Sequence, residues 1–182
     1  LGWRERAHGL IDYFLAARKP PAWPQWPEVV WREERKPRFL GDLPHTWVGA
    51  EFARSVLDIF AYERGRDSTL VLAAGIPASW LADEANDAND ANDADEGDGT
   101  GVSVVELPTP YGPLSYSLRN EDGKLTLRLE GPPTMPTGGL VLAPPVKPGS
   151  VRALCNGRPI DVDEEGRVVI RERRATVVFF SR

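Results

Sequence analysis

The apolar positions follow two different periods along the chain. In residues 3–18 they recur at steps of three and four, which places them on one face of a helix. These positions are Trp3, Ala7, Leu10, Ile11, Phe14 and Leu15. Residues 47–63 show the same spacing, with polar residues between the apolar ones, and predict the best-defined helix of the chain. We therefore expect two helices in the N-terminal part, the first with one buried side.

After residue 101 the period changes from 3.6 to 2. Short β-prone runs occupy residues 102–106, 114–118, 125–129, 140–142, 151–154, 168–170 and 176–180. Hairpin signals separate several of them, among them the segment from Asn120 to Gly123 and the dipeptide Asn156-Gly157. This pattern predicts an antiparallel β-sandwich over residues 101–182. The predicted fold class is α+β, with N-terminal helices followed by the sandwich.

The segments between these regions are of several kinds. Residues 20–27 alternate proline with Trp23 and Trp26 and predict an extended aromatic loop, and residues 28–34 predict a short helix. Residues 68–74 are typical of a buried strand, and residues 78–82 of one helical turn. The acidic tract at 83–100 repeats Ala-Asn-Asp, lacks the spacing of a calcium loop and predicts a solvated insertion. We expect three parts: 1–82, 83–100 and 101–182.

Composition narrows the class of protein. The chain has 182 residues, 41% of them hydrophobic, a net charge of −5 and a pI near 5.2. Because basic and acidic residues are interleaved, we expect no nucleic-acid partner. No apolar run is long enough to cross a bilayer, so we expect no membrane span, and no signal peptide pattern is present. The sequence does not give the compartment.

Two single residues also carry expectations. The chain opens at Leu1 inside a helical pattern, so we expect it to be a piece of a longer protein. Cys155 is the one cysteine, and no base lies beside it in the sequence. We therefore expect it to act as a small buried hydrophobe rather than a nucleophile.

Two motifs resemble a known enzyme group. The first is Leu43-Pro44-His45-Thr46-Trp47, which leads into the second predicted helix; the other runs from Pro108 through Thr109-Pro110-Tyr111-Gly112 to Leu114. Together they resemble the C-terminal end of glycoside hydrolases with an (α/α)6 barrel, above all the α-L-rhamnosidase group. In that group the last barrel helices run into a β-sandwich, and Asn and Tyr stand where this chain has Pro44 and Thr46.

The resemblance implies a sugar-binding role for the first motif. It places His45 at the barrel mouth, where the imidazole would hydrogen-bond the sugar in the minus-one position, and Trp47 would offer its apolar face to a pyranose ring. The alternative is that His45 caps the helix or satisfies a buried carbonyl, and that Trp47 lies in the core. Trp23 and Trp26 form the other candidate carbohydrate-binding surface, and the alternative there is packing beneath the loop.

We nominate no catalytic residue. Glycoside hydrolysis needs two carboxylic groups, and Glu51 and Asp58 are typical of the polar side of an amphipathic helix. In the resembling enzymes the carboxylates come from earlier barrel segments. No metal-binding spacing or phosphate loop occurs, so we expect no metal and no cofactor.

The resulting functional expectation is a non-catalytic C-terminal fragment of a glycoside hydrolase-like protein. Its partners would be the remainder of the parent polypeptide and carbohydrate, and secretion is usual for enzymes of the group it resembles. Two alternatives remain: an independent carbohydrate-binding module that uses Trp23, Trp26 or aromatic residues of the sandwich, and a structural or interaction domain.

Overall fold

The computed structural model describes residues 3–29, 41–81, 101–121 and 123–181. Its contacts divide the chain into two compact units, Leu1–Phe60 and Ala61–Arg182. We call them the helical unit and the sandwich unit. The acidic tract at 83–100 and most of the predicted helix at 28–34 lie outside the described residues, and the described residues Glu28 and Val29 are not helical.

The helical unit contains α1 (Arg4–Ala16) and α2 (Thr46–Phe60). Helix α1 is found where the periodicity predicts it, but the expectation of a buried side was wrong, because none of its residues is buried. Helix α2 ends three residues before the predicted end, because Ala61 already pairs with Leu72 as part of a strand. In that segment strand pairing prevails over helical periodicity.

The sandwich unit contains two sheets. Their strands are β1 (Ala61–Arg64), β2 (Thr69–Leu72), β3 (Gly101–Leu107), β4 (Leu114–Glu121), β5 (Lys124–Glu130), β6 (Gly139–Leu142), β7 (Val151–Cys155), β8 (Arg158–Ile160), β9 (Val168–Ile170) and β10 (Arg174–Ser181). One sheet has the order β1-β2-β6-β9 and the other β3-β4-β5-β10-β7-β8. The predicted fold class, helices followed by an antiparallel sandwich, is confirmed. Among the described strands, β2 and β6 form the one parallel pair.

The core of the sandwich unit is formed by buried side chains from strands of both sheets. All four residues of β2 and of β6 are buried, which is why both segments appear in the sequence as continuous apolar runs. In β10 burial alternates instead, and β5 follows the same pattern except at Thr126, which is buried on the side of the exposed Arg128. Leu118, Leu127 and Val177 are completely buried on the covered face of the six-stranded sheet.

The predicted strands agree with the structure. All seven predicted runs beyond residue 101 are strands, residues 69–72 form the predicted buried strand, and a 3-10 turn at Ala78–Leu81 replaces the predicted helical turn. Asn156 and Gly157 have φ angles of 49° and 78°, as a type I′ turn requires. Strands β1 and β8 are additional. Residues 61–81, assigned from the sequence to the helical part, belong to the sandwich unit.

Within the described residues, no helix combines the length and the apolar character that spanning a membrane requires.

Candidate functional site

His45 sits directly before the first residue of α2. Its Nδ1 accepts a hydrogen bond from the backbone N–H of Val48 at 3.4 Å, and its carbonyl oxygen accepts one from Gly49 at 3.2 Å. The side chain therefore satisfies one of the N–H groups that a helix start leaves unpaired. Because an accepting Nδ1 carries no proton, the neutral imidazole has its proton on Nε2. The ring is half-buried.

Two loop segments hold His45 in place. The backbone N–H of His45 donates to the carbonyl oxygen of Trp26 at 2.8 Å, and that of Glu28 donates to Asp42 at 3.0 Å. Gly41 has a φ of +66°, and a Cβ there would collide with Glu28. Both the positive φ angle and the close approach of Glu28 therefore require glycine at position 41.

Trp26 lies in the interior of the helical unit. It is 6% exposed, its ring stacks on Phe52 with centroids 4.6 Å apart, and its Nε1–H donates to the carbonyl oxygen of Phe14 at 2.6 Å. This one side chain connects α1, the loop and α2. The structure thus gives Trp26 the packing position that the sequence left as an alternative, and its ring faces are not open to solvent.

Trp23 and Trp47 are exposed. They are 59% and 73% accessible, and neither makes a ring contact with another aromatic side chain in the described part of the chain. The loop around Trp23 is held by its own bonds, because Trp23 donates to Pro20 at 2.9 Å and Gln25 donates to Trp23 at 2.8 Å. Of the four predicted site residues, the structure connects His45 and Trp26 through the backbone and leaves Trp23 and Trp47 on the surface.

The acidic residues of α2 are arranged as a helix surface. Asp58 is half-buried and lies 3.9 Å from Arg54, one turn earlier. Burial raises the pKa of Asp58, Arg54 opposes that rise, and Glu51 adds to it. Among the described residues, no cluster of His, Cys, Asp and Glu could hold a metal ion.

Cys155 lies at the end of β7, half-buried. Burial raises the pKa of its thiol, and the nearby carboxylate of Glu172 raises it further. A raised pKa keeps the sulfur protonated at neutral pH, which is the opposite of what a nucleophile needs.

The second motif forms a turn between β3 and β4. The hydroxyl of Thr109 donates to the carbonyl oxygen of Gly112 at 2.6 Å and accepts from the N–H of Tyr111 at 3.2 Å. Gly112 has a φ of +105°, and a Cβ there would contact Pro133 at 2.7 Å. The phenol of Tyr111 donates to Glu63 at 3.0 Å, which ties the turn to β1. The motif therefore has a structural role in this chain.

Sequence reasoning missed the exposed face of the six-stranded sheet. Arg119, Arg128 and Arg174 occupy alternate positions on three strands, on the side opposite the buried leucines and valines. The signal was present as the period of two in each strand, but which strands are neighbours becomes known only from the sheet order.

The sequence was compared with family models and curated proteins, and the structure with solved structures. No family model matches the sequence, and no curated protein matches it. Among solved structures, the chain is similar to a GH127 β-L-arabinofuranosidase from Geobacillus stearothermophilus, with a TM-score of 0.35 and 12% identity. The match covers 76% of this chain and 19% of that enzyme, so the chain spans about a fifth of the enzyme's length. A TM-score of this size is too low to establish a common fold.

Proposed function

We propose that this chain is a non-catalytic region of a glycoside hydrolase-like protein. In this proposal the helical unit supplies His45 to a sugar site, and the sandwich unit stabilises that site. The observation that carries the proposal is the fixed imidazole at the start of α2. Its Nδ1 is engaged by Val48, so its Nε2–H is the group left to meet a ligand.

The chemistry of that group suits a sugar. A hydroxyl of a pyranose accepts a hydrogen bond from a ring N–H, and an imidazole already oriented by the backbone loses little entropy when the bond forms. No described residue is hydrogen-bonded to Nε2 of His45.

Trp47 supports the same location. Its indole is 73% exposed in the first turn of α2, two residues after His45. Carbohydrate sites combine a few placed polar groups with flat apolar surfaces, and an exposed indole near a fixed N–H donor provides both kinds of group.

The exposed apolar side chains of the helical unit support a larger parent protein. Trp3 and Leu10 are 60% and 62% exposed on or beside α1, and Leu57 is 43% exposed on α2. Apolar surface of this kind is usually covered by another protein surface. In the proposal, further helices of the parent polypeptide cover it and complete a barrel of the α-L-rhamnosidase kind. They also bring the two carboxylic groups that hydrolysis requires.

The test is an assay of the full-length encoded protein against aryl glycosides, aryl rhamnosides included. His45→Asn keeps an oxygen that caps the helix but removes the imidazole, whereas His45→Ala removes both. We expect both variants to lower kcat/KM by about tenfold or more, as the loss of one hydrogen bond to substrate would. His8→Gln, on α1, is the matched control with unchanged turnover.

The results separate the two roles of His45. Full activity in His45→Asn together with reduced activity in His45→Ala would mean that His45 acts only as a helix cap. Full activity in both variants would remove the residue from the site.

A second candidate function, an independent carbohydrate-binding module, is favoured by the exposure of Trp23 on a hydrogen-bonded loop. Calorimetric titration of the 182-residue chain with neutral oligosaccharides tests it, with Trp23→Ala compared with Trp80→Ala, which removes another exposed indole. A module should bind in isolation and lose affinity only in Trp23→Ala. A severed end of a barrel should show no binding.

A further inference from the structure

The exposed face of the six-stranded sheet carries a line of arginines. Their positions follow from the register, because Arg119 of β4 lies opposite Thr126, Arg128 of β5 opposite Thr176, and Arg174 of β10 opposite Glu130. Strands β4, β5 and β10 are neighbours in the sheet. Each arginine is therefore diagonal to the next, at a step of about 7–8 Å between Cα atoms.

The same face adds further positive charge. Lys124 and Arg152 are exposed on β5 and β7, on the side to which the arginine line belongs. Glu130 is also on this face, but it pairs with Arg174 at 3.0 Å. A guanidinium has five N–H donors, so this pair leaves donors of Arg174 available. Even with Glu130 and with Glu121, which lies opposite Lys124 in the register, this face has more basic than acidic positions, whereas the chain as a whole has a net charge of −5.

A shallow depression of about 330 Å³ lies beside Arg128, the one arginine of the line among its lining residues, and Glu130 lines it as well. Its rim holds the hydroxyl groups of Ser103, Ser115 and Ser117, together with Arg128. Ser103 and Ser117 stand opposite each other on adjacent strands. Ser115 accepts a hydrogen bond from the N–H of Glu106 at 2.9 Å, which leaves its own proton to donate elsewhere.

A bulge in the edge strand shapes one side of the depression. The register of β3 against β4 shifts between Val104 and Leu107, and Glu106 has a φ of 51°. A bulge bends the strand and redirects its side chains. Val105, which follows the buried Val104, is 76% exposed and provides apolar surface next to hydroxyl and guanidinium groups.

We propose that this face, defined by Arg119, Arg128, Arg174 and the three serines, binds a strand of an acidic polysaccharide built from uronic acids. Guanidinium groups bind carboxylates with two parallel hydrogen bonds, serine hydroxyls exchange hydrogen bonds with sugar hydroxyls, and Val105 contacts sugar C–H groups. The inference goes beyond the sugar site at His45 and does not depend on it.

The composition of the depression favours this occupant over a nucleic acid. Single strands are held largely by bases stacked on exposed aromatic rings. Tyr116 is the aromatic residue among those that line the depression, and it is 3% exposed. The residues that line the depression therefore offer charge and hydroxyl groups without an exposed aromatic ring.

The test is binding of the 182-residue chain to polygalacturonate, measured by calorimetry at low salt, with the neutral polysaccharide pullulan and single-stranded poly-dT as comparisons. We expect polygalacturonate to bind at least tenfold more tightly than either. In the double variant Arg119→Gln/Arg128→Gln that affinity should fall by about tenfold or more, since each change removes a charge-assisted contact.

The matched control is Arg66→Gln/Arg171→Gln, which removes the same charge from exposed arginines elsewhere in the sandwich unit. We expect its affinity to change less than twofold. Equal losses in the two double variants would show attraction to overall charge alone and would overturn the proposal. So would the absence of polygalacturonate binding, or equal affinity for poly-dT.

Folding of the variants is checked by near-ultraviolet circular dichroism. If Arg119→Gln/Arg128→Gln is not folded, the polygalacturonate affinities of Arg128→Lys and Arg171→Lys are compared instead. Lysine keeps the positive charge but lacks the planar group that binds a carboxylate with two hydrogen bonds. A severalfold loss confined to Arg128→Lys supports the site. Equal affinities of these two variants contradict it.

Discussion

The helical unit and the sandwich unit bury their apolar residues to very different extents. In α1 no residue is buried and in α2 only Ile59 is, whereas Leu72, Leu118, Leu140 and Val177 of the sandwich unit have no exposed surface. Both units are rich in apolar residues. The two units differ in how much of their apolar surface is covered by other parts of the described chain.

The sandwich unit supplies two sheets, so each apolar face has another layer to pack against. The described residues of the helical unit, 3–29 and 41–60, form two helices and a loop, with Trp26 as the largest buried side chain. We infer that the sandwich unit holds most of the stability of this chain and that the helical unit has an incomplete core.

The largest effect is expected in the sandwich core. Phe179 is 1% exposed, and Phe179→Ala should reduce the free energy of unfolding by about 3–5 kcal/mol, because it removes a large ring from a closed interior. Urea unfolding followed by near-ultraviolet circular dichroism measures this. Val105→Ala, at a site 76% exposed, is the control and should change it by less than about 0.5 kcal/mol. Similar losses in both variants would contradict a closed core.

Trp26→Ala should affect the helical unit in particular. The change removes the ring that stacks on Phe52 and the N–H that donates to Phe14. We expect the helices to lose about 2–4 kcal/mol of local stability, seen as earlier thermal loss of the helical circular dichroism signal, while the strand signal is retained. Trp23→Ala should melt like the unmodified chain. A single transition lowered for helices and strands together would show that the two units do not differ in this way.

The buried phenol of Tyr116 should make the stability of the sandwich unit depend on pH in the alkaline range. Burial raises the pKa of Tyr116 above its usual value, against the effect of a hydrogen bond to the backbone of Ala73. A raised folded-state pKa means that stability is complete below about pH 10 and falls as the pH rises above it, by up to about 1.4 kcal/mol per pH unit.

Tyr116→Phe removes this titration. At neutral pH it should cost about 1 kcal/mol through the lost hydrogen bond. The variant should then lose less stability than the unmodified chain between pH 9 and 11, measured by urea unfolding. Parallel pH profiles for the two proteins would mean that water reaches this phenol.

The smallest effect is expected at a surface turn. Asp163 accepts hydrogen bonds from the backbone N–H groups of Glu165 and Arg167 and pairs with the Arg167 guanidinium at 2.7 Å. Desolvation raises the pKa of Asp163, but the hydrogen bonds and charge of Arg167 outweigh it, so the pKa lies below its usual value. The stabilisation is therefore present above about pH 3.9 and is lost as the pH falls through the lowered pKa.

Asp163→Asn should reduce stability at pH 7 by about 0.5–1 kcal/mol, the range of exposed ion pairs. Towards pH 2 the difference from the unmodified chain should shrink, because protonation of Asp163 removes the charge that asparagine lacks. Thermal unfolding at the two pH values measures the change. A difference that persists in full at pH 2 would assign the stabilisation to the turn's hydrogen bonds rather than to charge.

Much of the fold was predictable because local pattern and final environment agree. The alternation in residues 125–129 and 176–180 predicted strands, and Asn156-Gly157 predicted a turn, because these features depend mainly on local sequence. The buried side predicted for α1 failed because periodicity shows which residues share a face. It does not show whether this chain contains anything to cover that face.

The candidate site was predictable only in part. The residue before a helix start was identified at His45, but its backbone bond to Trp26 joins positions 19 residues apart, and sequence spacing does not show such a contact. The burial of Trp26 and the exposure of Trp23, three residues apart in one loop, likewise depend on where α1 and α2 lie. The arginine line escaped notice because it requires the sheet order.

Native-state hydrogen exchange on the 182-residue chain tests the contrast between the two units most directly. We expect the amides of β5 and β10 to exchange only through global unfolding, and those of α1 and α2 to open at a free energy several kcal/mol lower. This result would agree with a closed core in the sandwich unit and with helices that bury few of their apolar side chains. Equal opening free energies for the helix and strand amides would contradict it.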